Sequence, residues 1–205
     1  MTKRIQILQL NSGNIDSVAT AFRKIGVEVQ LVTQRSELSS SASIVLPGIG
    51  HFQHAVNHLK NVGLFDPVLE FASKDHPILG ICLGMHLLAS HSEEGDTEGL
   101  NLFDARVKEM KMENTVRFKV PHNGWNTLNI EQQTPLLKGI DNTTEFFFLH
   151  KYAWQTQNST EVFATSTYES DFPVVIGKKN CWGVQFHPEK SHAAGLQLLE
   201  NFIRI

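Results

Sequence analysis

The sequence predicts an α/β fold: one domain (residues 1–205) on a mainly parallel sheet flanked by helices, with antiparallel additions in the C-terminal half. Three observations carry that expectation. As far as Ile81, short apolar or alternating runs take turns with segments of helical periodicity, the order a parallel sheet needs for its crossovers. Beyond Leu100 the helical periodicity stops, and short strand-like runs separated by turn residues take over. Hydrophobic residues make up 41% of the 205 positions and charged ones 19%, enough apolar material for a core and too much for a disordered chain.

The elements follow in order. Arg4–Leu10 alternates apolar and polar residues, as a half-buried strand does, and NSGN breaks it. Asn14–Ile25 is read as a helix because Val18, Ala19, Phe22 and Ile25 fall on one face, and Gly26 stands where a helix C-terminus wants a left-handed residue. Val27–Val32 is the second strand. Ser43–Leu46, closed by Pro47-Gly48, and Pro77–Ile81 are short apolar runs of the kind buried on both faces. Phe52–Lys60 and Pro67–Ser73 are expected helices between them, and Met85–Ala89 is a further helical stretch. Val107–Met112, Thr127–Ile130, Glu145–Leu149, Val162–Ser166, Val174–Gly177 and Trp182–Phe186 are the later strand candidates, and Gly195–Phe202 closes the chain as a helix.

Composition removes several classes of function. Lys and Arg number 18 against 21 Asp and Glu, a net charge of −3, so no basic excess exists to neutralise nucleic-acid phosphates. The N-terminal residues lack the apolar core of a secretory signal, and no run is long enough to span a membrane; a cytoplasmic location is expected. Two cysteines, Cys82 and Cys181, cannot make a disulfide framework.

One of them sits in the sharpest local feature, Gly80–His86 (GICLGMH). A strand running into Gly-x-Cys-x-Gly and then a helix has the layout of a nucleophile elbow, with cysteine in the serine position. The glycines fit because bulkier residues at 80 and 84 would collide with neighbouring backbone. The turn would set the sulfur at a helix N-terminus, where the dipole favours thiolate, and bring the Leu83 N–H to an oxyanion. A small buried core cysteine is the alternative on this motif alone. QFHPEKS (185–191) supplies the rest. A thiolate site needs a base, and the base an orienting acceptor. His187 and Glu189, two apart across Pro188 in extended backbone, would share one face, so the carboxylate could brace the imidazole. An isolated His-Pro-Glu reads better as a surface turn; it is the elbow 105 residues upstream that favours the triad.

Together these segments resemble the class I (triad) glutamine amidotransferases, whose fold is flavodoxin-like. LPGIGHF (46–52), SEEG (92–95), PHNGWN (121–126), FLHKY (148–152) and Ser12-Gly13-Asn14 narrow the resemblance to glutaminase subunits of imidazole glycerol phosphate synthases, over essentially the whole chain. The resemblance implies that Cys82 attacks the side-chain amide of glutamine, with His187 and Glu189 completing a catalytic triad. It gives oxyanion donors to Leu83 and the Gly48-Ile49-Gly50 loop, whose glycines also suit a plain βα turn. Glu94 would receive the substrate's α-amino group, although the bare sequence by itself favours a solvated loop carboxylate. His86, His150 and Tyr152 would flank the substrate. Asn123, Trp125, Asn126 and Lys190 would meet a cyclase partner of (βα)8 type in a heterodimer. The pattern is departed from at four places, five residues in all: His86 replaces glutamine, Leu10-Asn11 an aromatic-glycine pair, Lys151 a small hydroxyl residue and Asn123 an apolar one.

Other candidates point less far. His51, His54 and His58 share a predicted helix face, but i and i+7 lie about 10 Å apart, too far for one zinc ion, so a solvated face is expected. Gly48-x-Gly50 lacks the remainder of a dinucleotide fingerprint, and no cofactor or metal is expected. Cys181 reads as core filler, Lys178-Lys179 as a turn and Phe146-Phe147-Phe148 as a buried strand. No acceptor domain fits beside the glutaminase, so ammonia would pass to another chain. A sister glutaminase serving nucleotide-sugar amidation in surface polysaccharide synthesis, a catalytically idle module and a cysteine peptidase on the same fold are the competing readings.

Overall fold

The computed structural model describes residues 4–10 and 13–205; Ser12 of the first motif and Asn11 of the Leu10-Asn11 departure lie outside them. The chain runs β1 (Arg4–Leu8), α1 (Ile15–Lys24), β2 (Glu28–Val32), β3 (Ser43–Leu46), α2 (Phe52–Asn61), α3 (Phe65–Ser73), β4 (Ile78–Ile81) and α4 (Leu83–Leu87). It continues through β5 (Ala89–Ser92), β6 (Thr97–Glu98), β7 (Phe103–Glu109), β8 (His122–Thr127), β9 (Asn129–Ile130), β10 (Glu145–His150) and β11 (Tyr152–Gln155). β12 (Val162–Tyr168), β13 (Ser170–Lys178), β14 (Cys181–Val184) and α5 (His192–Phe202) complete it.

Local chemistry accounts for the early elements. α1 buries Ile15, Val18, Ala19 and Phe22 along one stripe. It ends at Gly26 with φ +78°, where the Gly26 and Val27 N–H groups turn back to the Arg23 and Phe22 carbonyls at 3.0 and 3.2 Å, a paired C-terminal cap that only a left-handed residue permits cheaply. β3 and β4 are almost wholly buried because helices cover the sheet on both sides. Ile5, Ile7, Val45, Leu79 and Ile81 pack with α1 and α5 on one face. Leu8, Ile44, Leu46 and Ile78 pack with α2 and α3 on the other. Each such fully buried side chain contributes about 2 kcal/mol of hydrophobic stabilisation.

The main sheet has the order β2-β1-β3-β4-β14-β13-β12-β9. β2 to β14 are parallel neighbours, and β13, β12 and β9 add on antiparallel, as expected. The remaining strands depart from expectation. β8 and β10 form a separate antiparallel pair, and β11-β7-β5-β6 a separate four-stranded sheet. β10 lies face-on against the core, with the Phe146 and Phe148 rings 4.1 and 5.7 Å from Phe186, so its apolar face is satisfied without joining the main sheet's edge. Alternation in the sequence tells which side chains are buried, not which strand lies alongside. The expected strand Thr127–Ile130 divides at Leu128, since its halves serve different sheets, and the strand expected at Val107–Met112 lies at 103–109. The helix expected at Met85–Ala89 ends at Leu87, and β5 takes Ala89; β6 and β11 were not anticipated. Among the described residues no helix is long and apolar enough to cross a membrane.

Candidate active site around Cys82

The site grows out of the central parallel pair. β4 and β14 are neighbours in register Ile81↔Val184, so the next residues, Cys82 and Gln185, leave the sheet side by side at its carboxyl edge. That edge is where open α/β sheets place ligands. Residues far apart in the sequence are thereby brought together.

Cys82 occupies the turn between β4 and α4 with φ +52° and ψ −105°, a conformation costly for a non-glycine residue and typical of a side chain presented on a sharp elbow. Both glycines are required by close approach. A Cβ at Gly80 would stand 2.5 Å from the Gly84 carbonyl oxygen, and one at Gly84 would overlap the Leu46 carbonyl outright. The helix that follows is only five residues long, so few peptide dipoles align behind the sulfur and the dipole support expected from sequence is small.

His187 leaves β14 just before a short 3-10 turn, Pro188–Lys190. Its Nδ1 lies 2.8 Å from Glu189 Oε1, and both side chains are fully buried. Asn14 Nδ2 donates to the same Glu189 oxygen at 2.8 Å. The Ser191 hydroxyl donates to the His187 carbonyl at 2.6 Å and accepts from the Phe147 N–H at 3.0 Å, tying the loop to β10. The other ring nitrogen, Nε2, is buried beside the Cys82 sulfur without meeting hydrogen-bond geometry. Burial alone would lower the imidazole, but the charge of the Cys82 sulfur and the bond to Glu189 outweigh it and raise His187 to about 10. Burial likewise opposes the Glu189 carboxylate, yet His187 and Asn14 hold it below the ordinary value. The arrangement favours a protonated imidazole, braced by Glu189 and set beside the Cys82 sulfur, the layout nucleophilic attack on a carbonyl needs.

In front of the sulfur lies a cavity of about 230 Å³ lined by Cys82, Ile49, Gly50, Leu83, His86, Glu94, Leu149, His150, Lys151 and Tyr152. Of the residues singled out for substrate or oxyanion contact, all but Gly48 therefore line one cavity. Glu94 is held there by α2: its Oε2 accepts the Phe52 N–H at 2.8 Å at a helix start whose own cap residue, His51, makes no side-chain cap. Burial, partly offset by a bond to Gln185, lowers His86 to about 4, so it is neutral at neutral pH. Burial lowers His150 to about 3; its Nδ1 donates to the Tyr152 carbonyl at 2.8 Å, leaving Nε2 to accept from His122 Nδ1 at 3.1 Å. The Leu83 N–H meets the Gly48 carbonyl at 3.4 Å, so in this conformation the expected oxyanion donor is turned to a backbone acceptor.

Comparison with known sequences decides the family. Residues 7–205 match the family model of glutamine amidotransferase class-I. The chain belongs to this family. It is 36% identical over 201 residues to imidazole glycerol phosphate synthase subunit HisH 2 of Methanococcus maripaludis, covering 98% of each chain. It is 40% identical to subunit HisH of Desulfitobacterium hafniense, covering 97% of this chain and 92% of the relative. A solved structure of PurLQS from Thermotoga maritima superposes with a TM-score of 0.76 over 100% of this chain and 99% of that one; at 14% identity it is similar in fold alone.

In this amidotransferase the residues expected at a partner surface fall together on and beside β8. Trp125 is 45% exposed, with its ring stacked on His192 at 5.2 Å, and Lys190 lies over the Phe147 ring at 5.5 Å. Asn123 is exposed, and the half-buried Asn126 donates to the Thr167 carbonyl at 3.0 Å at the surface. Phe147 thus departs from the buried-strand expectation for the triple phenylalanine; Phe146 and Phe148 alone are fully buried. His58 bonds to the Gln9 carbonyl at 2.9 Å, and among the described residues no three metal-ligating side chains converge. Asn14, Gln185 and Ser191 stood inside quoted motifs without a role. The available signal was a polar residue inside an apolar run, as at Gln185, which must find a partner once buried.

Proposed function

We propose that this chain is the glutaminase subunit of an imidazole glycerol phosphate synthase. It hydrolyses glutamine to glutamate and ammonia. The ammonia passes to a (βα)8 cyclase subunit that makes imidazole glycerol phosphate and AICAR in cytoplasmic histidine biosynthesis. The observation that carries this reading is the Cys82, His187, Glu189 constellation opening on a glutamine-sized cavity with Glu94 at its side. Cys82 attacks the γ-carboxamide carbon. His187 hands its proton to the departing ammonia, leaving a thioester, then takes a proton from water as that water attacks the thioester carbon. Glu94 receives the α-ammonium group, with His86, His150 and Tyr152 around the substrate. Leu83 and the Ile49-Gly50 loop donate to the oxyanion once the Gly48 carbonyl releases the Leu83 N–H, so the isolated chain turns over slowly. Asn123, Trp125, Asn126 and Lys190 face the cyclase.

The test is glutamate release by the purified chain, alone and with the cyclase subunit and its phosphorylated substrate, against Cys82→Ala. A sharp rise with the cyclase supports both chemistry and partner. Turnover indifferent to the cyclase keeps the glutaminase and rejects this acceptor, and no turnover in any mixture rejects the reading.

A further inference from the structure

We propose that Gln185 is a positioning residue for the Cys82 sulfur, held by His86 in the one carboxamide orientation that donates to it. The inference rests on the reading of Cys82 as nucleophile and deepens it. Gln185 Nε2 stands 3.8 Å from Cys82 Sγ, and Gln185 Oε1 stands 2.7 Å from His86 Nε2; both Gln185 and His86 are buried.

A buried glutamine takes its orientation from its surroundings. His86 is neutral in this site and has one N–H. With that hydrogen on Nε2 it donates to Oε1, which turns the NH2 group onto the sulfur. The reverse orientation would aim an oxygen lone pair at the thiolate. A donor is needed here for two reasons. The five-residue α4 supplies little dipole, and the Leu149 carbonyl, also 3.8 Å from the sulfur, accepts only from the uncharged thiol. Gln185 opposes that carbonyl from the neighbouring strand, where the Ile81↔Val184 register places it beside Cys82. Position 86 is thereby explained as a clamp on Gln185 as well as a wall of the cavity.

The titratable groups around the sulfur are His187, backed by Glu189, and, lining the cavity it opens on, His86, His150, Glu94, Lys151 and Tyr152; His86 and His150 are neutral near neutral pH. The test is the pH profile of Cys82 alkylation by iodoacetamide in the purified chain, read by mass spectrometry so that Cys181 is scored separately. Gln185→Met is expected to lose about tenfold in rate at neutral pH, with the profile displaced about one unit to alkaline. Its kcat should fall while KM stays within about threefold. His86→Leu should shift the same way by less, and His86→Gln, whose NH2 can donate to Oε1, should restore the profile. A folded Gln185→Met whose profile superposes on the native one overturns the proposal. If that variant does not fold, superposition of the His86→Leu and native profiles overturns it. Glutamate release persisting in Cys82→Ala would instead overturn the reading of the nucleophile, a separate result.

Discussion

Asn14 and His187 converge on a single oxygen of Glu189, at 2.8 Å each, while Oε2 is buried without a partner among the described residues. The carboxylate is therefore oriented from two sides, and Asn14 fixes the angle at which it meets the imidazole. Asn14→Ala is expected to lower kcat about tenfold, the worth of one charge-assisted hydrogen bond, with KM within about twofold; steady-state glutaminase kinetics checks it. Asn14→Asp, which sets a second carboxylate against the first, should cost more. Cys82→Ala should abolish glutamate release and leave the circular-dichroism melt within a few degrees of native, because the elbow is held by glycines and backbone rather than by the sulfur. Cys82, His187 and Glu189 were legible in the sequence because short-range spacing carries them. Asn14 and Gln185 were not, because their partners stand far away in the chain and meet only through strand order.

The α4 elbow shows what the elements owe to glycine. Gly84→Ala would drive a methyl into the Leu46 carbonyl, so β3 and α4 would have to separate. A loss of about 3 kcal/mol or more is expected, seen as insoluble expression or a melting temperature lowered by about 10 °C or more. Gly26→Ala meets no atom within 4 Å and pays only for its φ of +78°, about 1 kcal/mol. The βα alternation up to β4 was readable because each element is bounded by its own turn and buried by its own stripe. The later strands were readable as strands but not as partners. β5, β6 and β11 are short and mixed in polarity, and β8 was hidden inside PHNGWN, whose Asn-Gly reads as a turn.

Across the whole molecule, three imidazoles are folded in as neutral groups. His86, His122 and His150 sit at about 4, 4 and 3 against an ordinary 6.5, in each case chiefly through burial. Below pH 6.5 the unfolded chain takes up protons that the folded chain refuses, so stability falls as pH drops from 6.5 towards 4. For His86 alone the loss at about pH 5 is on the order of 2 kcal/mol. Urea midpoints at neutral and mildly acid pH should show it, with a shallower fall in His86→Gln. His187 acts with the opposite sign. Raised to about 10, it contributes stability that is lost as pH rises from 6.5 through 10, and His187→Gln should flatten that alkaline limb.

The place of β14 has a consequence in time. It is the next-to-last regular element of the chain, yet it inserts in the middle of the sheet between β4 and β13. A nascent chain leaving the ribosome thus carries its thiol long before its imidazole, and β4 waits with an open edge for a strand about 100 residues away, a slow non-local closure. Ammonia production therefore waits on the emergence and seating of β14, and a copy that stops short of it consumes no glutamine.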